Sequence, residues 1–205
     1  MDFTMMYIAH DAFNRDLERL LLAADAGKPF TAAAIATWKF FANQLHIHHA
    51  AEDASLWPRL HAAVDDADEV RLLREMEAEH ASLDPRIDQI DAAVDVRDAA
   101  AFTSEIMTLA KGLAAHMAHE EEAALPLLER RLGEAGWDAF GKEIKEQQGG
   151  IKGGAAYLPW VLDGVDKPTT TKVLRLLPPP ARLVYRKIWE PKYRKSERLH
   201  QEDRH

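Results

Sequence analysis

A histidine–glutamate pattern occurs twice in the chain, and this repeat limits the possible folds more than any other feature. His48, Glu52 and Pro58 recur as His116, Glu120 and Pro126, each 68 residues later. Trp57 and Leu60 have Leu125 and Leu128 as counterparts at the same offset. A second register, offset by 70, pairs His10 with His80, Phe13 with Leu83, Leu17 with Ile87 and Leu20 with Ile90. The chain therefore reads as two helical hairpins, each supplying a lone histidine and then a His-x-x-x-Glu. The lone histidine precedes the pair by 38 residues in one half and by 36 in the other. That separation lets the chain run along one helix and return down the next to the same level.

Apolar periodicity supports helices throughout this region, and the expected class is all-α. Ile8, Phe13, Leu17, Leu20 and Leu21 form a stripe on a first helix from about Phe3 to Ala26, stopped by Gly27-Lys28-Pro29. Thr31 is the expected N-cap of a second helix carrying Ile35, Trp38, Phe41 and Leu45 and ending at or just past Pro58. A third begins around Asp66–Asp68 and carries Val70, Leu73, Met76, Leu83, Ile87 and Ile90. A fourth begins near Asp98, carries Phe102, Ile106, Leu109 and Leu113, and ends by Gly133. A short fifth helix spans about Glu134–Gln148. Four long helices with short connections predict an up-down-up-down four-helix bundle over residues 1–148.

Residues four apart on a helix share a face, so His48 points with Glu52 and His116 with Glu120. His10 and His80 lie within apolar stripes and should also face inward. Buried carboxylates cost several kcal/mol unless paired, hydrogen-bonded or bound to metal. Two or more transition-metal ions would satisfy all six groups, with carboxylates bridging and imidazoles capping. Iron, zinc, manganese and copper all suit such donors. His49 with Asp53 forms a competing pair one residue out of phase, and its counterpart is Met117, so the repeat favours His48. His46, His61, His119, His200 and His205 are expected to be solvated or to hydrogen-bond the ligands.

Composition removes other chemistries. The 205 residues contain no cysteine, which excludes disulfides, thiolate metal sites, iron–sulfur clusters and thiol nucleophiles. No apolar run approaches the roughly 18 residues of a membrane span. The start, MDFTMMYIAHD, is not a signal peptide, and a cytoplasmic protein is expected. A net charge of −8 argues against a nucleic-acid partner.

His10, the run His48-His49-Ala50-Ala51-Glu52-Asp53 with Leu56-Trp57-Pro58, Glu79-His80, and His116-x-x-x-Glu120 with Leu125-Pro126 together resemble a hemerythrin-like (HHE cation-binding) domain. The resemblance covers roughly residues 1–148. It implies a four-helix bundle holding two iron ions, a non-heme di-iron centre bridged by two carboxylates and an oxo or hydroxo group. Carried over, His10, His48, His80 and His116 would be terminal ligands, and Glu52 and Glu120 the bridges. Oxygen-carrying members have two histidines four apart on the third helix, whereas the residue four after His80 is Asp84, followed by Pro85. Their fourth-helix carboxylate lies five residues after its histidine, a spacing that Glu121 rather than Glu120 would fit.

The pattern is similar to actinobacterial hemerythrin-like proteins with an H–HxxxE–H–HxxxE arrangement, a group associated with peroxide or nitric oxide chemistry. The resemblance thus implies a di-iron protein reacting with hydrogen peroxide or nitric oxide in oxidative or nitrosative stress defence, as a catalase-like or nitric oxide peroxidase-like oxidoreductase with an electron donor. Reversible dioxygen binding or sensing, and iron storage, are the alternatives.

An acidic body carries a basic tail. Residues 172–205 hold 10 Lys/Arg against 4 Asp/Glu, while residues 1–171 carry a net −14. Gly149-Gly150-Ile151-Lys152-Gly153-Gly154 reads as a hinge or turn, and prolines 178–180 and Pro191 interrupt the C-terminal stretch. Residues 149–205 are thus expected to form a Gly/Pro-interrupted basic segment packed on the bundle through Tyr157, Leu158, Trp160, Ile188 and Trp189. That reading is favoured over contact with an anionic membrane surface.

Overall fold

The computed structural model describes residues 1–199, so His200 and His205 lie outside the described residues. The described residues are helical, with no strand. The four bundle helices are α1 (Thr4–Asp25), α2 (Ala32–Ala51), α4 (Ala67–Val96) and α5 (Ala99–His119). Their starts follow local capping chemistry. Thr31 accepts from the Ala34 amide, Asp66 from Asp68 and Glu69, and Asp98 from Ala101. Arg97, at φ 55°, makes the left-handed C-cap that turns α4 into α5 within two residues. Adjacent helices pack α1 on α2, α2 on α4, α4 on α5 and α5 on α1, which closes the bundle.

Two of these helices do not stop where the α-helical hydrogen bonding stops. α2 passes through a π turn at Glu52–Leu56 into α3 (Trp57–Ala63), and α5 through another at Glu120–Ala124 into α6 (Leu125–Arg131). The repeated prolines explain this. Pro58 and Pro126 have no N–H to donate, and their rings crowd the carbonyl four residues back. The helix widens instead, and the Trp57 and Leu125 amides reach back to the Glu52 and Glu120 carbonyls. A third π turn, Tyr185–Trp189, stands in the same relation to Pro191. π turns of this kind often lie at functional sites, and the first two begin on the buried glutamates.

The bundle interior has two apolar layers. One includes Phe13, Leu17, Trp38, Phe41, Leu45, Leu83, Ile106 and Leu113. The other includes Met6, Leu56, Trp57, Leu60, Met76, Leu125, Leu128 and Phe140. Along each bundle helix the inward histidine falls between them: His10 between Met6 and Phe13, His80 between Met76 and Leu83. A polar layer is thus sealed by hydrocarbon above and below.

Beyond the bundle, α7 (Gly133–Gln147) is the fifth helix expected from the sequence. The expected hinge is shorter than six residues. Only Gly149 and Gly150 take positive φ, and α8 (Ile151–Val161) already contains Gly153 and Gly154. A Cβ at Gly153 would collide with the Gln148 carbonyl, so glycine there allows a close return of the chain rather than a hinge. The segment continues through α9 (Lys167–Arg175), α10 (Pro179–Val184) and α11 (Glu190–Arg194). Trp160, Val161, Val173, Leu174, Tyr185 and Tyr193 are buried in the first apolar layer, with Tyr157, Leu158 and Trp189 partly buried against it. Ile188 is exposed. No helix among the described residues is long and apolar enough to cross a membrane.

The attachment of this segment to α1 also has a buried polar part. Arg15 donates to the Asp163 carbonyl at 2.7 Å, and Arg19 to the Asp163 carboxylate at 3.0 Å. The Tyr193 hydroxyl donates to the same carboxylate at 3.0 Å. Burial raises the Asp163 carboxyl, but the Arg15 and Arg19 guanidinium groups outweigh it and hold it below its ordinary value of 3.8. A folded-state pKa below the unfolded one stabilises the fold above the unfolded value and loses that effect as pH falls. Asp163→Asn should therefore cost about 1–3 kcal/mol at neutral pH. The gap from the parent should close below the ordinary carboxylate range. Urea melts of both proteins at neutral and acid pH check this. A gap that persists at acid pH would show that the Asp163 charge is not what matters.

Candidate metal centre

All six residues singled out by the repeat meet in the polar layer. His10 comes from α1, His48 from α2, His80 from α4 and His116 from α5, while Glu52 and Glu120 open the two π turns. Each is buried, and both glutamates are fully so. Glu52 faces two ways: Oε1 lies 3.2 Å from His48 Nε2, and Oε2 lies 3.3 Å from His80 Nε2. Glu120 Oε2 lies 3.2 Å from His10 Nε2, and Glu120 also groups with His116. His80 and His116 turn their Nε2 atoms toward each other at 3.1 Å. Donors about 2.1 Å from one ion and at right angles to each other lie about 3 Å apart. The spacing suits ligands around a metal ion.

The outward nitrogens explain why these rings hold such positions. His10 Nδ1 meets Glu121 at 2.6 Å, His80 Nδ1 meets Asp53 at 2.9 Å, and His116 Nδ1 meets Glu79 at 2.8 Å. A carboxylate on Nδ1 fixes tautomer and ring orientation and leaves Nε2 as the inward lone pair. Glu121, whose spacing fits the bridge of the oxygen carriers, thus anchors His10. Asp84 is exposed on α4 and takes no place in the cluster. His119 shares Glu79 with His116, at 2.9 Å. His46 is exposed, and His61 pairs with Glu77 at 3.1 Å.

His49, which the sequence pattern leaves open, also lies in the cluster. It is buried, with its ring stacked on His80 at 4.0 Å between centroids and edge-on to His116 at 5.5 Å. His49, His80 and His116 can bring ligand atoms within 4.8 Å of one another, as can His10, His48 and Glu120. Neighbouring helix positions diverge by about 100°. That divergence excludes both from one small site, but a cluster wide enough for two ions lets His48 face one half and His49 the other. The available signal was the apolar surroundings of the His48-His49 pair, which leave no solvated side for either ring.

The cluster leaves many buried polar atoms without partners. His10 Nε2, His48 Nε2, both nitrogens of His49 and all four oxygens of Glu52 and Glu120 are buried without a hydrogen-bond partner. Native interiors rarely leave so many polar atoms unsatisfied. Burial, then repulsion from Glu120, pushes the Glu52 carboxyl up. Burial would also raise Glu120, but its contact with His10 outweighs that and holds it down. Burial drives His48 down to about 3 and His49 well below the ordinary imidazole range, keeping both neutral and able to ligate. The fit to metal rests on these orphaned donors and on their type, imidazole plus carboxylate without sulfur.

The family model of the hemerythrin HHE cation binding domain matches residues 2–128. Neither the curated proteins nor the solved structures offer a match to this chain.

Proposed function

Because the chain belongs to the hemerythrin HHE cation-binding family, we propose that it holds two iron ions in its buried His/Glu cluster and reacts with a small oxidant, hydrogen peroxide or nitric oxide. The observation that carries this reading is Glu52, buried and unpaired, with one oxygen toward His48 and the other toward His80. A carboxylate so placed would offer an oxygen to each of two cations. His10 and His48 would cap one ion, and His80 and His116 the other. Glu52 and Glu120 would bridge them, and His49 would act as a seventh residue on the His80 side.

Iron bound there would supply paired redox centres with a coordination position open to a small oxidant. The chain does the rest. Asp53, Glu79 and Glu121 hold the outward protons of three imidazoles and keep their Nε2 lone pairs on the cluster. Glu52 and Glu120 supply the two negative charges at the centre of the cluster. The apolar layers on either side keep water away from these charges and so strengthen their hold on cations. An electron donor from outside the chain, and a place in the cytoplasm, complete the proposal.

Anaerobic stopped-flow absorption tests it. Mixing the iron-loaded full chain with hydrogen peroxide, or with nitric oxide and an excess of a chemical electron donor, should change its spectrum within the mixing experiment and consume the oxidant over many turnovers. Reversible spectral change with dioxygen, and no consumption of either oxidant, would replace the proposal with a dioxygen-binding role. Iron loading well beyond two per chain would replace it with storage.

A further inference from the structure

A cavity of about 180 Å³ is lined by His48 together with residues of three other helices. α1 contributes Met5, Met6 and Ala9, and α7 contributes Trp137, Phe140, Gly141 and Ile144. α8 adds Tyr157. Apart from the His48 ring, the Trp137 indole N–H and the Tyr157 hydroxyl, the side-chain atoms facing it are carbon or sulfur. No charged residue lines it.

Three observations give the cavity a purpose. First, His48 differs from its three counterparts: among the described residues no carboxylate holds its Nδ1, and its ring meets the Phe140 ring instead, at 6.4 Å. One imidazole of the cluster therefore borders the cavity, with the Phe13 ring also against it at 5.4 Å. Second, most of the wall comes from α7 and α8, which lie beyond the family-matched residues 2–128. Third, the volume is far above what a diatomic gas or hydrogen peroxide fills. An enclosed apolar cavity of about 150 Å³ accepts benzene, and this half-open one is of that order.

We propose that this cavity binds a small uncharged molecule with an apolar body, about the size of a six-membered ring, and presents it to the His48 side of the cluster. Among oxidants, that describes an organic hydroperoxide better than hydrogen peroxide. Its apolar body lies among Met6, Phe140 and Ile144, and its polar end is within reach of the Trp137 and Tyr157 donors. The proposal deepens the oxidant reading of the metal centre, and only its last arm rests on that reading.

Fluorobenzene is the probe, observed by fluorine NMR on the full chain loaded with zinc, which cannot change oxidation state. Saturable binding is expected, with 4-fluorobenzoate refused because no cation lines the cavity. Gly141 is exposed and lines the cavity, and a Cβ there would meet no atom within 4 Å, so Gly141→Phe has room at its Cβ and is chosen to plug the cavity. Ile144→Trp fills the cavity from its wall. Each variant should raise the fluorobenzene dissociation constant at least tenfold while keeping the bound zinc. Absence of saturable binding, equal binding of the benzoate, or unchanged binding in both variants would overturn the proposal. Finally, cumene hydroperoxide should displace fluorobenzene, and hydrogen peroxide at the same concentration should not. Failure of this arm alone would leave an apolar site but remove hydroperoxides as its ligand class.

Discussion

Glu52→Ala and Glu120→Ala should each strip at least one of two metal ions from the chain. Each glutamate is fully buried, and each lies about 3 Å from inward imidazole nitrogens. Removing one takes away a negative charge that no neighbour can replace: Asp53, Glu79 and Glu121 are already engaged with Nδ1 atoms on the outside. The remaining imidazoles would then hold a divalent or trivalent ion with half the buried anionic charge. A loss of tenfold to 100-fold in metal affinity is the least expected, since even an outer partner of a ligand is worth that much. His49→Ala should weaken the His80 side selectively, leaving one tightly held ion. Metal analysis after dialysis against a chelator reads both outcomes. Two ions retained with an unchanged spectrum in either glutamate variant would remove the bridging assignment, and the same result for His49→Ala would reduce that ring to a packing role.

Trp160→Ala should be among the most destabilising changes outside the cluster. The indole is fully buried, 5.3 Å from the Phe13 ring and 5.6 Å from the Phe40 ring, and its N–H donates to Asp16 at 2.7 Å. Deleting a buried tryptophan costs about 3–5 kcal/mol. For a chain of this size that lowers the melting temperature by roughly 10 °C. Trp160→Phe should recover much of the loss but not the bond to Asp16. Metal content should stay at the parental level, because none of the seven residues proposed to hold metal lies beyond Glu120. Thermal melts with metal analysis separate the two effects. A Trp160→Ala protein that melts with the parent would mean that α8 contributes nothing to the core.

The fold was largely legible because helices announce their ends locally. Thr31, Asp66 and Asp98 cap the helices that they were expected to begin. The repeat carried the site for a similar reason: His48 with Glu52 and His116 with Glu120 are intrahelical pairs, readable from spacing alone. What spacing could not show is what crosses between helices. Asp53 reaches His80, Glu79 reaches His116, and Glu121 reaches His10, and nothing local marks these acids among the chain's many. His49 stayed open because one-face geometry assumes a single narrow site and the repeat offers only Met117 as its counterpart. Gly153 and Gly154 looked like a hinge because glycine disfavours helix. Burial of Trp160 and Val161 on the bundle outweighs that preference in α8.

Metal analysis of the purified full chain, joined to its absorption spectrum, tests the central claim most directly. Two irons per chain with near-ultraviolet oxo-to-iron bands are the predicted result. One ion or none per chain after iron loading, or two ions that survive replacement of both Glu52 and Glu120, would contradict it.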